Sequence, residues 1–112
     1  FFALIETEEG VEEVEQIAST KDVDCLWVGH FDLSTSLGIP GEFNSRKYQT
    51  ALKKIIVAAK KYGKSLGRLV TTTEEGFSDR EKGFDFCCFS TDTFIFQKAL
   101  ADGIRKIREI CR

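Results

Sequence analysis

Two hydrophobic patterns alternate along the chain. A short continuous apolar run occurs at residues 1–5, mainly apolar segments follow at 24–28, 65–70 and 84–89, and between them apolar residues return every three or four positions. The runs predict strands buried on both faces, and the 3.6-residue return predicts amphipathic helices. The first helix places Val11, Val14, Ile17 and Ala18 on one side and Glu12, Glu13 and Glu15 on the other, with Glu8 and Glu9 in its first turn. Residues 34–44, with Gly38, Pro40 and Gly41, are expected to form a loop. Asn44 or Ser45 then caps a long helix whose apolar face is Tyr48, Leu52, Ile55, Ile56 and Ala59. Lys60, Lys61 and Gly63 mark its end.

The third strand is interrupted by Gly67 and Arg68. A short helix is expected over 74–82, stopped by Gly83, and a fourth strand over 84–89. Ser90-Thr91-Asp92 is expected to cap a last helix with the apolar face Phe94, Ile95, Leu100, Ile104 and Ile107. The result is an α/β chain of four β-α units with right-handed crossovers, organised as one domain over residues 1–112. Four parallel strands leave two bare edges and two faces to cover. They are half of an eight-unit barrel, so either another half completes it, or two copies associate, or the sheet stays open. An open regulatory domain would want an acidic cluster after the first strand and a lysine after the last. Only Glu6, Glu8 and Glu9 stand at the former, and residues 89–96 hold no lysine.

Charge narrows the range of partners. Sixteen Lys and Arg are interspersed with 18 Asp and Glu, giving a net charge of −2 without a basic stripe. Nucleic acid is therefore not an expected partner. No apolar stretch approaches the roughly 20 residues that span a bilayer, and no leader pattern is visible, so no membrane partner is expected. The chain has no Met and begins inside an apolar run, which suggests a piece of a longer protein. Cys25, Cys87, Cys88 and Cys111 form no C-x-x-C pair, and His30 is the single histidine. They read as reduced core thiols of a cytoplasmic protein rather than zinc ligands or disulfides.

Candidate chemistry gathers at strand ends. Glu6 follows the first apolar run and Asp32 follows the second. Two such carboxylates suit a hard cation that keeps several waters; alternatively they are solvated loop acids or caps. In the turn Gly29-His30-Phe31-Asp32, glycine would let the backbone turn, and the next N–H groups could meet an anion; an ordinary βα loop reads the same. His30 could be a general base, but no carboxylate is locally spaced to orient it, which favours a loop residue packed beside the site. Arg68 could pair a buried acid or bind a substrate carboxylate, and the sequence leaves both open.

Ile5-Glu6-Thr7, the stretch from Val23 to Ser34, Leu37-Gly38-Ile39-Pro40-Gly41, Tyr62-Gly63-Lys64 and Gly83-Phe84-Asp85-Phe86 together resemble the HpcH/HpaI aldolase family, over essentially the whole chain. The resemblance implies a lyase: a metal-dependent class II aldolase on a (β/α)8 TIM barrel, of which this chain is the C-terminal half. It implies that Glu6 and Asp32 are the metal ligands, to Mg²⁺, Mn²⁺ or Co²⁺. It also implies that Gly29, His30, Phe31 and Asp32 form the substrate-binding turn, whose amides hold a pyruvate carboxylate. In such enzymes the metal polarises the pyruvyl oxygens during retro-aldol cleavage of a 2-keto-4-hydroxy acid to pyruvate and an aldehyde. Many members carry Pro where this chain has His30. The family's catalytic histidine and substrate-binding arginine belong to the other half, so no catalytic residue is expected here and the fragment alone should be inactive. Family members are usually homo-oligomers that exchange their last helices. The alternative is a non-catalytic half-barrel module that homodimerises.

Overall fold

A computed structural model describes residues 1–112. Its strands are β1 (Phe2–Ile5), β2 (Cys25–Val28), β3 (Ser65–Val70) and β4 (Phe86–Phe89), parallel and hydrogen-bonded in chain order. The helices are α1 (Glu8–Glu12), α2 (Val14–Ser19), α3 (His30–Ser36), α4 (Arg46–Tyr62), α5 (Thr73–Lys82) and α6 (Asp92–Ile110). The expected four β-α units are all present.

Helix limits follow local chemistry. Ser45, rather than Asn44, caps α4 by accepting the Tyr48 N–H, and Gly63 ends it in the left-handed conformation at φ 62°. Thr72 caps α5 through the Glu75 N–H. At α6 the cap is Thr91, the middle residue of the expected Ser90-Thr91-Asp92 segment, which accepts the Phe94 N–H; Asp92 lies one residue inside and accepts the Thr93 N–H. The first helix is kinked at Glu13 (φ −90°, ψ 5°), yet Glu13 N–H still bonds the Glu9 carbonyl and Ile17 N–H the Glu13 carbonyl. The largest departure is α3, which occupies the start of the expected loop. Only Leu33 and Leu37 mark a helical face in so short a segment. Its hydroxyl run reads as loop, but Ser34 and Thr35 hydroxyls donate back to the Phe31 carbonyl at 2.8 and 3.0 Å.

The register sorts the strand residues onto two faces. Ala3, Ile5, Leu26, Val28, Leu66 and Val70 share one face; the first five are buried under α1–α4, and Val70 is buried beside Gly76 of α5. Phe2, Leu4, Trp27, Gly67 and Phe86 share the other, which no helix covers. Phe86 packs edge to face on Phe2 and Trp27 there, with ring centroids 5.2 and 5.7 Å apart, and Phe2 and Trp27 are tilted at 6.3 Å. Gly67 makes that possible. A Cβ on it would sit 2.9 Å from Trp27 Cε3 and 3.0 Å from the Phe86 carbonyl oxygen, so the indole lies flat across β3.

The C-terminal end is the least packed. Every residue of β4 is exposed, and α6 buries none. Cys25 is buried as expected, but Cys87 and Cys88 are exposed; all four thiols are free. The two strand cysteines miss the core because β4 is an uncovered edge. The radius of gyration is 17.0 Å, against about 13 Å for a compact chain of this length, because α6 stands away from the sheet.

Candidate functional site

The site is built where β1 and β2 end. The Gly29 N–H donates to the Ile5 carbonyl at 3.0 Å, carrying the ladder one step past both strands. Ile5 points into the helix-covered core, so Glu6, next in the alternation, points to the open face. There its side chain lies across Gly29. A Cβ on Gly29 would meet Glu6 Cβ at 2.8 Å and Glu6 Oε2 at 3.3 Å. The backbone of Gly29 is ordinary (φ −83°). The glycine is therefore needed for space above it and not for the turn itself.

Asp32 stands exposed in the first turn of α3, where a helix N-terminus favours negative charge. Leu33 N–H is the first to bond back, to the Gly29 carbonyl at 2.8 Å, and the amides of His30, Phe31 and Asp32 have no backbone acceptor. Neither Glu6 nor Asp32 takes part in an ion pair. No three His, Cys, Asp or Glu side chains converge as a metal cluster.

The ring of His30 turns to the other side of the sheet. It packs on Phe31 and Phe43 at 4.5 and 5.3 Å. Burial, and then the nearby Arg68 guanidinium, push its pKa down. With Phe43, Tyr48, Arg68 and Glu75 it borders a cleft of about 270 Å³ among α3, α4 and α5. Arg68 pairs the buried Asp79 of α5 through both Nε and Nη2, the latter at 2.9 Å, and stacks 5.9 Å from the Phe84 ring centroid. Of its two open roles, the pairing of a buried acid is the one observed. The Tyr48 hydroxyl is buried without a partner, and burial raises its pKa.

Three supports of the site went unread in the sequence. Ser36 Oγ accepts the Glu8 N–H at 2.9 Å, tying the residue after the β1 turn to the end of α3. Ser34 is fully buried with both hydrogen-bonding capacities used. Asp79 lies in a helix otherwise rich in solvated charge. None has a sequence signal beyond its residue type: Ser36 acts through Glu8, 28 residues away, and Asp79 through Arg68, while the bonds of Ser34 to Phe31 and Gly41 are local but leave no trace in the apolar periodicity.

A profile of the family described as HpcH/HpaI aldolase/citrate lyase matches residues 1–99. The chain belongs to this family. It is 35% identical over 104 residues to a hydroxypyruvate/pyruvate aldolase of Paraburkholderia phytofirmans, covering 93% of this chain and 40% of that protein. A 5-keto-4-deoxy-D-glucarate aldolase of Klebsiella pneumoniae is 36% identical over 105 residues, covering 91% and 41%. Among solved structures, an HpcH/HpaI aldolase/citrate lyase family protein from Burkholderia cenocepacia superposes with a TM-score of 0.89 at 33% identity, over 96% of this chain and 42% of that one. The chain therefore spans about 40% of the length of the relatives it matches. These structural neighbours are TIM-barrel proteins, and the four-stranded parallel sheet is part of such a barrel. The bare aromatic face then corresponds to the barrel interior, and Glu6 stands at the carboxyl ends of the strands, where barrel enzymes place their chemistry.

The residues present fit a divalent metal. Glu6 and Asp32 are oxygen donors with no competing cation. The missing Cβ of Gly29 leaves the Glu6 carboxylate clear at the end of β2. A hard cation that retains waters requires no third protein ligand.

Proposed function

We propose that the intact protein is a divalent-metal-dependent aldolase, a lyase that cleaves a 2-keto-4-hydroxy acid to pyruvate and an aldehyde. The observation that carries the reading is Glu6 laid over Gly29, unpaired, at the strand ends where α3 begins with three amides free of backbone acceptors, in a chain of this family. Glu6 and Asp32 would hold Mg²⁺, Mn²⁺ or Co²⁺. Bound there, the ion supplies Lewis-acid stabilisation of the negative charge that develops on the keto oxygen when the C3–C4 bond breaks. The amides of His30, Phe31 and Asp32 would bind the keto-acid carboxylate and fix its orientation beside Gly29. The His30 ring, turned to the helix side, takes no proton in this scheme. The group that accepts the 4-hydroxyl proton comes from outside residues 1–112.

Two further parts of the reading concern assembly and location. We assign α6 to a neighbouring copy in a homo-oligomer, because its apolar residues Phe94, Ile95, Leu100, Ile104 and Ile107 all stay exposed on this chain. Four free thiols support a reducing cytoplasmic setting. No helix is long and apolar enough to cross a membrane.

The test is turnover. The intact protein should release pyruvate from 4-hydroxy-4-methyl-2-oxoglutarate or a related 2-keto-4-hydroxy acid, lose that activity with a chelator, and regain it with Mn²⁺ or Mg²⁺. Turnover indifferent to chelation would reject the proposal. The second reading, a non-catalytic half-barrel that homodimerises, draws on the uncovered face and the bare outer edges of β1 and β4. Pyruvate-forming turnover would end it.

A further inference from the structure

We infer that Ser34 is a positioning residue, coupling the loop after α3 to the turn that carries Asp32; this rests on the metal role proposed for Asp32. The Ser34 hydroxyl is fully buried and occupied on both sides. It donates to the Phe31 carbonyl at 2.8 Å and accepts the Gly41 N–H at 3.0 Å. The Ser34 carbonyl also accepts the Ile39 N–H at 2.9 Å, so the chain folds back beneath the helix it has just left.

That return depends on two glycines. Gly38 ends α3 at φ 75°, and Gly41 reaches Ser34 at φ 77°. Both lie in the left-handed region that side chains disfavour. Two residues after Gly41, the Phe43 ring packs on Phe31 at 5.2 Å. Asp32 is thus held between two anchored neighbours. Phe31 is fixed by its carbonyl on Ser34 and its ring on Phe43, and Leu33 is fully buried. Asp32 itself is exposed and makes no ion pair, so its carboxylate takes its position from the backbone beneath it. Ser34 is the one polar side chain that bonds both the turn and the returning loop.

Groups that orient a metal ligand typically change metal affinity about ten- to a hundredfold when removed. The experiment measures Mn²⁺ affinity of the intact protein by the loss of the free-ion EPR signal. Ser34→Ala should weaken Mn²⁺ binding at least about tenfold and speed exchange of the Gly41 amide. Ser34→Cys, which keeps a weak donor and acceptor in place, should fall between it and wild type, and it carries the comparison if the alanine variant does not fold. Ile55→Val, a core change in α4, serves as the control: it lowers thermal stability and should leave Mn²⁺ affinity unchanged. Wild-type Mn²⁺ affinity in the folded Ser34 variants would overturn the positioning role. Wild-type affinity in Asp32→Ala would instead overturn the metal role on which it rests.

Discussion

The two faces of the sheet are built from similar residues and differ in what covers them. On one, Ile5, Leu26 and Val28 disappear beneath four helices; on the other, Phe2, Leu4 and Phe86 remain about half exposed. Alternation along a strand puts neighbours on opposite sides, so each strand serves both surfaces. The helix-covered face carries this chain's own stability. The open face carries Glu6 at its mouth, and it is finished by whatever closes the barrel. Stability and chemistry are therefore separable by substitution, one face at a time.

The strongest break should come at Arg68, on the helix side. Replacing it with Ala leaves Asp79, only 4% exposed, with Lys82 at 3.7 Å as its remaining cation. We expect a loss of about 3–5 kcal/mol in urea unfolding. The paired change Arg68→Met with Asp79→Leu should recover most of it, which would separate the cost of an unpaired charge from the worth of the pair.

Next in size is the contrast between Ile55 and Phe86. Ile55→Ala should cost about 2–5 kcal/mol whether residues 1–112 or the intact protein is unfolded. Phe86→Ala should cost that much only in the intact protein and far less in residues 1–112, where its ring is 46% exposed. Equal costs for Phe86 in both would mean that the open face is not a barrel interior.

Gly29→Ala gives a smaller effect of a different kind. The added Cβ needs room now held by Glu6 Cβ at 2.8 Å. An overpacking cost of about 1–3 kcal/mol is expected, with weaker Mn²⁺ binding because the carboxylate is pushed aside. Thermal unfolding and metal titration together check it.

The order of strands and the ends of α4 were legible in the sequence because their causes are local. An apolar run marks a strand, and Ser45 and Gly63 bracket α4 by their own conformational preferences. Glu6 and Asp32 were legible as acids at strand ends. What escaped depends on particular side-chain contacts, some within a few residues and some between elements. α3 is stabilised by hydroxyls bonding back to Phe31 and by the return of Gly41, neither of which periodicity reports. Gly29 read as a turn-maker, although its role is the space it leaves for Glu6 from another strand. His30 stood in the site motif, yet its ring went to the aromatic cluster with Phe43. Cys87 and Cys88 read as core because β4 looks like any buried strand; their exposure follows from the missing neighbour on that edge.

The most direct test of the central claim is Mn²⁺ titration of the intact protein with Glu6→Gln and Asp32→Asn. Each substitution keeps size and shape but removes the negative charge and one oxygen donor. The account predicts a single tight Mn²⁺ site in wild type, weakened at least about tenfold by either change with thermal stability nearly unaltered. Wild-type Mn²⁺ affinity in both variants would contradict it and would move the metal away from the mouth of the open face.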